Sequence, residues 1–154
     1  MLKVFVDLQS CMHWADEYGK SIGREKSQCR INYKKMIDQI KERHKNQLID
    51  FIAVGLQSSN AKISRFIEGL QKSGFNSIFM LDIADGYSSV VNKISSLNKK
   101  TTCRPNIVVS SNTEFINSNM RIYAISKLSG SKFNSTAFYL NKLVVDLDLD
   151  IVRI

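Results

Sequence analysis

The chain is 154 residues long, one ordinary domain spanning residues 1–154 rather than two, and enough to bury a core of its own. Hydrophobic residues make up 44% and charged residues 23%, the composition of a folded globular protein and not of a disordered tail. Twenty-two Lys and Arg against 14 Asp and Glu leave a net charge of +8, a surplus that on so small a domain points to a polyanion, most often nucleic acid, with an anionic surface or an acidic protein as the other options.

Leu2 to Val6 is a short apolar, β-branched run ending at Asp7, the pattern of a strand buried in a parallel sheet. A helix is expected from about Ser10 to Tyr18, and the polar, basic stretch Gly19 to Arg30, with two glycines, reads as a mobile loop. Ile31 through Arg43 places Tyr33, Met36, Ile37 and Ile40 at helical spacing. Leu48 to Leu56 is a second strand. Ser59 or Asn60 caps a helix whose apolar positions Ile63, Phe66, Ile67 and Leu70 recur until Gly74 stops it. Ser77 to Leu81 is a third strand, and Tyr87 to Leu97 a helix with Val90, Val91, Ile94 and Leu97 inward. Asn106 to Ser110 is a fourth strand. Glu114 to Leu128 reads as a helix, and Lys132 to Leu140 as the place of a fifth strand. The tail alternates from Val145 to Ile154, with Asp146, Asp148 and Asp150 on one side, as a half-exposed strand does.

Strands alternating with helices predict a three-layer α/β/α sandwich with a mainly parallel central sheet, a Rossmann-like arrangement in the broad sense. Ligands in such sheets bind at the carboxyl ends of the strands, where the strand order reverses. Asp7 and Ser110 both end strands there.

The charge is concentrated. Lys20 to Lys45 holds nine basic residues (Lys20, Arg24, Lys26, Arg30, Lys34, Lys35, Lys41, Arg43 and Lys45) and three acids, a net of +6, so the other 128 residues carry only +2. Such a run is either a solvated helix face or a phosphate-binding surface, with Tyr18 and Tyr33 available to stack on bases. No apolar run approaches a membrane span, and MLKVFVDLQS lacks the apolar core of a signal peptide, so the expectation is a cytoplasmic protein without membrane contact. Cys11, Cys29 and Cys103 form no CxxC pair and read as reduced bystanders. No GxGxxG or GxxxxGK[ST] supports a nucleotide cofactor.

Two segments carry candidate chemistry. A carboxylate ending a buried strand is costly unless it is hydrogen-bonded, paired or metal-bound, so Asp7 either caps the following helix or serves a site. In the second, NIVVSSNTEF, the side chains of Ser110, Asn112 and Glu114 offer oxygens of the kind that hold hydrated Mg²⁺, while capping by Ser111, Asn112 or Thr113 is the structural alternative.

With these motifs in place, the chain resembles a NYN domain of the PIN-like nuclease superfamily, including its bacterial stand-alone members. Asp7-Leu8-Gln9-Ser10 stands where the family has Asp-Gly-x-Asn, and Ile31-Asn32-Tyr33-Lys34-Lys35-Met36 is similar to its I-D-Y-x-K-L helix start. Leu70 to Gly74 matches an L-x-x-x-G helix ending, and Ser110 to Phe115 stands where the family has Ser-Gly-Asp-x-Asp-Phe. The resemblance implies RNA as partner and, in active members, Mg²⁺ or Mn²⁺ held by carboxylates to activate water against a phosphodiester. It implies Asp7, Glu114 and Asp85 as catalytic residues, and Asp7, Asn112, Glu114 and Asp82 as metal ligands. Nucleic acid would lie on Lys20, Arg24, Lys26, Arg30, Lys34, Lys35 and Ser110. The pattern is thinned where it matters: Ser10 replaces an Asn, Asn112 an Asp, Glu114 an Asp, and Ser88 stands near a fourth acid, for which Asp82 or Asp85 would substitute. The alternative is an inactive protein-interaction or regulatory module, a homodimer joined through the C-terminal strand edge or an antagonist of another factor.

Overall fold

Val4, Phe5 and Val6 are fully buried because their strand has neighbours on both edges and helices on both faces. The computed structural model describes residues 1–21, 23, 30–58, 63–100, 105–112, 114–115, 118–124, 138–139 and 145–146. Its elements are β1 (Leu2–Asp7), α1 (Leu8–Ser21), β2 (Arg30–Ile31), α2 (Tyr33–Arg43), β3 (Ile49–Gln57), α3 (Ile63–Ser73) and β4 (Ser77–Asp82). A 3-10 turn at Ile83–Asp85 follows, then α4 (Tyr87–Lys99), β5 (Ile107–Val109), β6 (Arg121–Ala124), β7 (Phe138–Tyr139) and β8 (Val145–Asp146).

The main sheet runs in the order β4-β3-β1-β5-β6-β7 with every pairing parallel, and β2 and β8 form a separate antiparallel pair. The core divides by strand parity. Leu2, Val4 and Val6 join Leu8, Cys11, Trp14, Met36, Ile37, Ile40 and Leu70 on the face covered by α1, α2 and α3. Phe5, Ile52, Val54 and Val108 meet Val90 and Ile94 of α4, with Phe115, on the other. This is the three-layer α/β/α sandwich expected from the alternation of strands and helices. No helix among the described residues is long and apolar enough to cross a membrane.

Two local devices set the helices in place. Gly74, at φ 117°, ends α3, as the sequence predicts: its N–H bonds the Gln71 carbonyl while the Phe75 N–H reaches back to Leu70. Gly55 of β3 lies under the start of α1, where a Cβ would stand 2.9 Å from Leu8 Cδ1, and Gln9 Oε1 accepts from the Leu56 N–H at 3.1 Å. The first turn of α1 is thereby seated directly on the sheet.

The helix expected over Glu114 to Leu128 is not there. A short helical turn covers residues 114–115, and Arg121–Ala124 is the strand β6, parallel to β5. Ser118 redirects the backbone by donating to the Phe115 carbonyl and accepting from the Met120 N–H, the competition through which serine disfavours helix interiors. Ile122 and Ala124 then face one core and Tyr123 the other, a period of two hidden within an unbroken apolar run. The first helix is also longer than expected: α1 starts at Leu8 and takes in Gly19, Lys20 and Ser21, which the sequence had assigned to a loop. The capping expected of Ser59 or Asn60 lies outside the described residues. So does most of the expected fifth strand, of which β7 is the described part, and the tail from residue 147 on.

Candidate functional site

The sheet changes direction at β1, which continues to β3 on one side and to β5 on the other. Asp7 closes β1 and Ser110 follows β5, so the two flank this switch point. Asp7, Ser10, Asn106 and Ser110 are the fully covered polar side chains among the described residues, and three of these four meet here.

Asp7 is 0% exposed, and its carboxylate is held by donors from α1, from α4 and from the end of β5. Oδ1 accepts from the Ser10 N–H at 3.2 Å, which makes Asp7 the N-cap of α1. Oδ2 accepts from Ser10 Oγ at 2.8 Å, from Ser110 Oγ at 2.8 Å and from the Tyr87 phenol at the start of α4. Ser110 Oγ in turn accepts from the Asn112 N–H at 3.0 Å. Burial, reinforced by the Asp7 carboxylate, pushes the Tyr87 phenol well above its ordinary range, so it remains a donor. Burial first and Asp7 second raise the Cys11 thiol, and burial, Cys11 and Asp7 raise the Tyr33 phenol, which hydrogen-bonds Cys11. Among the described residues, the side chains that donate to the carboxylate are therefore neutral hydroxyls. Protonated and buried, Cys11 is no nucleophile.

The other acidic candidates sit at exposed turns. Asp82 Oδ1 caps the 3-10 turn by accepting from the Ala84 N–H at 2.9 Å, and Asp85 is exposed within that turn. Asn112 Oδ1 accepts from the Glu114 N–H at 3.0 Å, and the Glu114 side chain is exposed. Among the described residues no three His, Cys, Asp or Glu side chains gather as a metal ion requires. The donor set at Asp7 does not fit hydrated Mg²⁺ or Mn²⁺: the carboxylate is wrapped in hydroxyl protons, which a cation would have to displace, and among the described residues no second carboxylate joins it. No hydrolytic step is derived through such an ion.

The basic candidates separate along the helices. The first residues of α2 lie at the carboxyl ends of the strands, since Tyr33 bonds Cys11 in the second turn of α1; its far end leads to Leu48, whose carbonyl accepts from Leu2 N–H at the amino end of β1. Arg30, Lys34 and Lys35 are exposed on the carboxyl-end rim. Lys20 lies 13 residues beyond Asp7 along α1, about 20 Å away at helical rise. Arg24 and Lys26 lie outside the described residues. Lys34 and Lys35 occupy the first turn of α2, which carries no acid, so they oppose the positive end of the helix dipole. The Asn32 side chain caps that turn by accepting from the Lys35 N–H at 3.1 Å.

The aromatics expected to stack on bases are engaged elsewhere. Tyr18 stacks on Trp14, and Tyr33 meets the edge of Phe75 while its hydroxyl bonds Cys11. Ser10 and Tyr87 complete the Asp7 cluster: in the sequence Ser10 stands out as a departure from the family motif with no role assigned to it, and Tyr87 was passed over. The available signals were a hydroxyl three residues after the strand-ending acid and a polar-tipped aromatic opening a helix at the same end of the sheet.

Fold and site together define a parallel α/β sandwich with a buried carboxylate–hydroxyl cluster at its switch point and a cationic rim beside it. Comparison of the chain with known protein families, with curated proteins and with solved structures finds no match.

Proposed function

We propose that the protein is a nucleic-acid-binding domain of the NYN/PIN-like kind that holds RNA without cutting it. The observation that carries this reading is the first turn of α2. Lys34 and Lys35 stand against the helix dipole beside Arg30, at the ligand-binding end of the sheet. Lys34 is the one of these with an acidic partner within its own helix, Asp38 at 3.4 Å, an exposed pair of little energetic consequence. Phosphates supply the negative charge that this turn lacks, as they do at other helix N-termini. RNA is the nucleic acid implied by the family resemblance.

A hydrolytic role is the weaker reading because Asp7, the residue on which it depends, is sealed beneath Tyr87 by its own hydrogen bonds. The test is fluorescence anisotropy with a labelled single-stranded RNA over a salt series. Three phosphate contacts predict that affinity falls by about twentyfold between 50 and 200 mM salt. Salt-independent or absent binding overturns the proposal. Incubating the same RNA with protein and Mn²⁺ checks the second half, and cleavage that disappears in Asp7→Asn would restore the nuclease reading.

A further inference from the structure

One outer strand of the main sheet is open along a whole side. β4 pairs with β3 from Ser77 to Asp82, and among the described residues no strand pairs with its other edge. Both of its faces are covered: Ile78 and Met80 pack against the core that holds Leu70 of α3, and Phe79 and Leu81 against the one that holds Val90 of α4. Ser77 to Leu81 nevertheless stay half-buried, while Phe51 to Val54 of the neighbouring β3 are buried. Edge strands are ordinarily protected by brevity, lysine, proline or a bulge, because unpaired N–H and C=O groups recruit further strands. β4 has none of these devices: it is six residues long, reads SIFMLD and keeps an unbroken register with β3. Ile83, 55% exposed, extends its apolar character past the strand end.

We propose that β4 is a dimerisation edge, paired antiparallel with β4 of a second copy about a two-fold axis normal to the sheet. Residues directly opposite in such a pair share a face, so the axis falls at a residue and not between two. With the axis at Phe79, this residue meets its own counterpart, Ile78 meets Met80, Ser77 meets Leu81, and Asn76 meets Asp82. Apolar side chains then face one another through the middle, and the one charged residue of the strand faces an amide. Asn76 turns its Oδ1 to the Phe51 N–H at 2.9 Å, so its amide N–H groups are the donors that Asp82 needs. An axis at Met80 would set Asp82 against Ile78, and one at Ile78 would set Met80 against Asn76, so polarity selects the Phe79 register. Charge agrees at the ends. The nearest charged residue before β4 is Lys72, exposed in the last turn of α3, and the nearest after Asp82 is Asp85, with both acids exposed. Antiparallel pairing brings the lysine end of one copy to the acidic end of the other, twice over. This self-complementarity is what makes a second copy the occupant. Pairing consumes β4 of both copies, so assembly closes at two, and the carboxyl ends of the two sheets open in opposite directions.

Sedimentation equilibrium of the full chain over a concentration series is expected to show a monomer–dimer equilibrium. A strictly monomeric chain at about 100 μM, well above the micromolar end of standard interfaces, overturns the inference. Lys72→Glu, a change at an exposed site, should weaken the dimer at least about fivefold, because it turns two attractions into repulsions, and adding Asp85→Lys should recover most of that loss. A dimer whose affinity Lys72→Glu leaves unchanged lies on another surface and equally overturns the inference. Oxidative cross-linking reads the register, with Cys29→Ser and Cys103→Ser as background. Phe79→Cys should link to its counterpart across the axis, whereas Ser77→Cys, about 14 Å from its own, should not. Cross-linking at Ser77 and not at Phe79 overturns the register and the inference with it. Should Phe79→Cys lose its fold, the exposed charge pair still decides the question.

Discussion

Two regions at the same end of the sheet treat charge in opposite ways. At the switch point the single carboxylate of Asp7 is removed from water and surrounded by Ser10, Ser110 and Tyr87 hydroxyls. On the rim, Arg30, Lys34 and Lys35 remain exposed, and two of them face the wrong end of their helix dipole. The first region is satisfied by the fold itself; the second leaves its charge facing solvent. Satisfaction inside the fold is the mark of a structural role.

The largest expected effect breaks the first region. Asp7→Ala leaves the two buried serine hydroxyls, the half-buried Tyr87 hydroxyl and the Ser10 N–H without their acceptor, which should destabilise the protein by about 3–5 kcal/mol. At this chain length that lowers Tm by roughly 10 °C or more in a thermal melt. A shift within about 2 °C, on the same scale, would show that the cluster is not a structural centre. Next comes the rim. Lys34→Glu with Lys35→Glu should weaken RNA binding by about tenfold or more and flatten its salt dependence. Lys35→Glu alone should raise stability by about 0.5 kcal/mol, because a Glu at that position suits the dipole and can return a hydrogen bond to the Asn32 N–H in a capping box. Loss of binding together with gain of stability would separate the rim from the fold; loss of both would merge them.

A smaller effect tests the seal over Asp7. Tyr87→Phe removes one of the three hydroxyl donors and keeps the ring, at a cost of about 1 kcal/mol in a denaturant titration. If the variant gains Mn²⁺-dependent RNA cleavage, the hydroxyl had been closing a working site, and the contrast between the two regions would have to be redrawn.

The frame of this fold was legible because its signals are local. The apolar run ending at Asp7, the helical spacing through Met36, Ile37 and Ile40 and the stop at Gly74 each express a preference of their own segment. Convergence of Asp7 and Ser110 was legible too, since both end strands that a parallel sheet aligns. What was hidden depends on partners distant in sequence. Tyr87 joins Asp7 across 80 positions. Arg121 to Ala124 is a strand because Asn106 and β5 lie beside it, with the Arg121 N–H bonding the Asn106 carbonyl. The basic run looked like one surface because it is continuous in sequence, but α1 and α2 carry its two ends, Lys20 and Lys45, toward the amino end of the sheet and leave Arg30, Lys34 and Lys35 at the carboxyl end.

The two ends of α2 extend the comparison and give the smallest effect. At the last turn Lys41 and Arg43 favour the dipole, as cations should there, and His44 follows them with a 2.6 Å hydrogen bond to the Tyr123 hydroxyl. Burial first, then Arg121 and Arg43, hold the His44 pKa below its ordinary value of 6.5. The unfolded chain therefore binds this proton at a higher pH than the folded one. By linkage, stability rises with pH wherever the unfolded state holds more protons, so the contribution is complete above the ordinary histidine range and is lost as pH falls through 6.5 toward the folded value. Because His44 is half-exposed, solvent screening keeps the change small. Thermal melts between pH 7.5 and 5.5 should show wild type losing slightly more stability than His44→Gln, which has no such proton to gain. Equal losses would mean that the arginines beside His44 are too well solvated to be felt, and that this end of α2, unlike the rim, carries its charge at no cost.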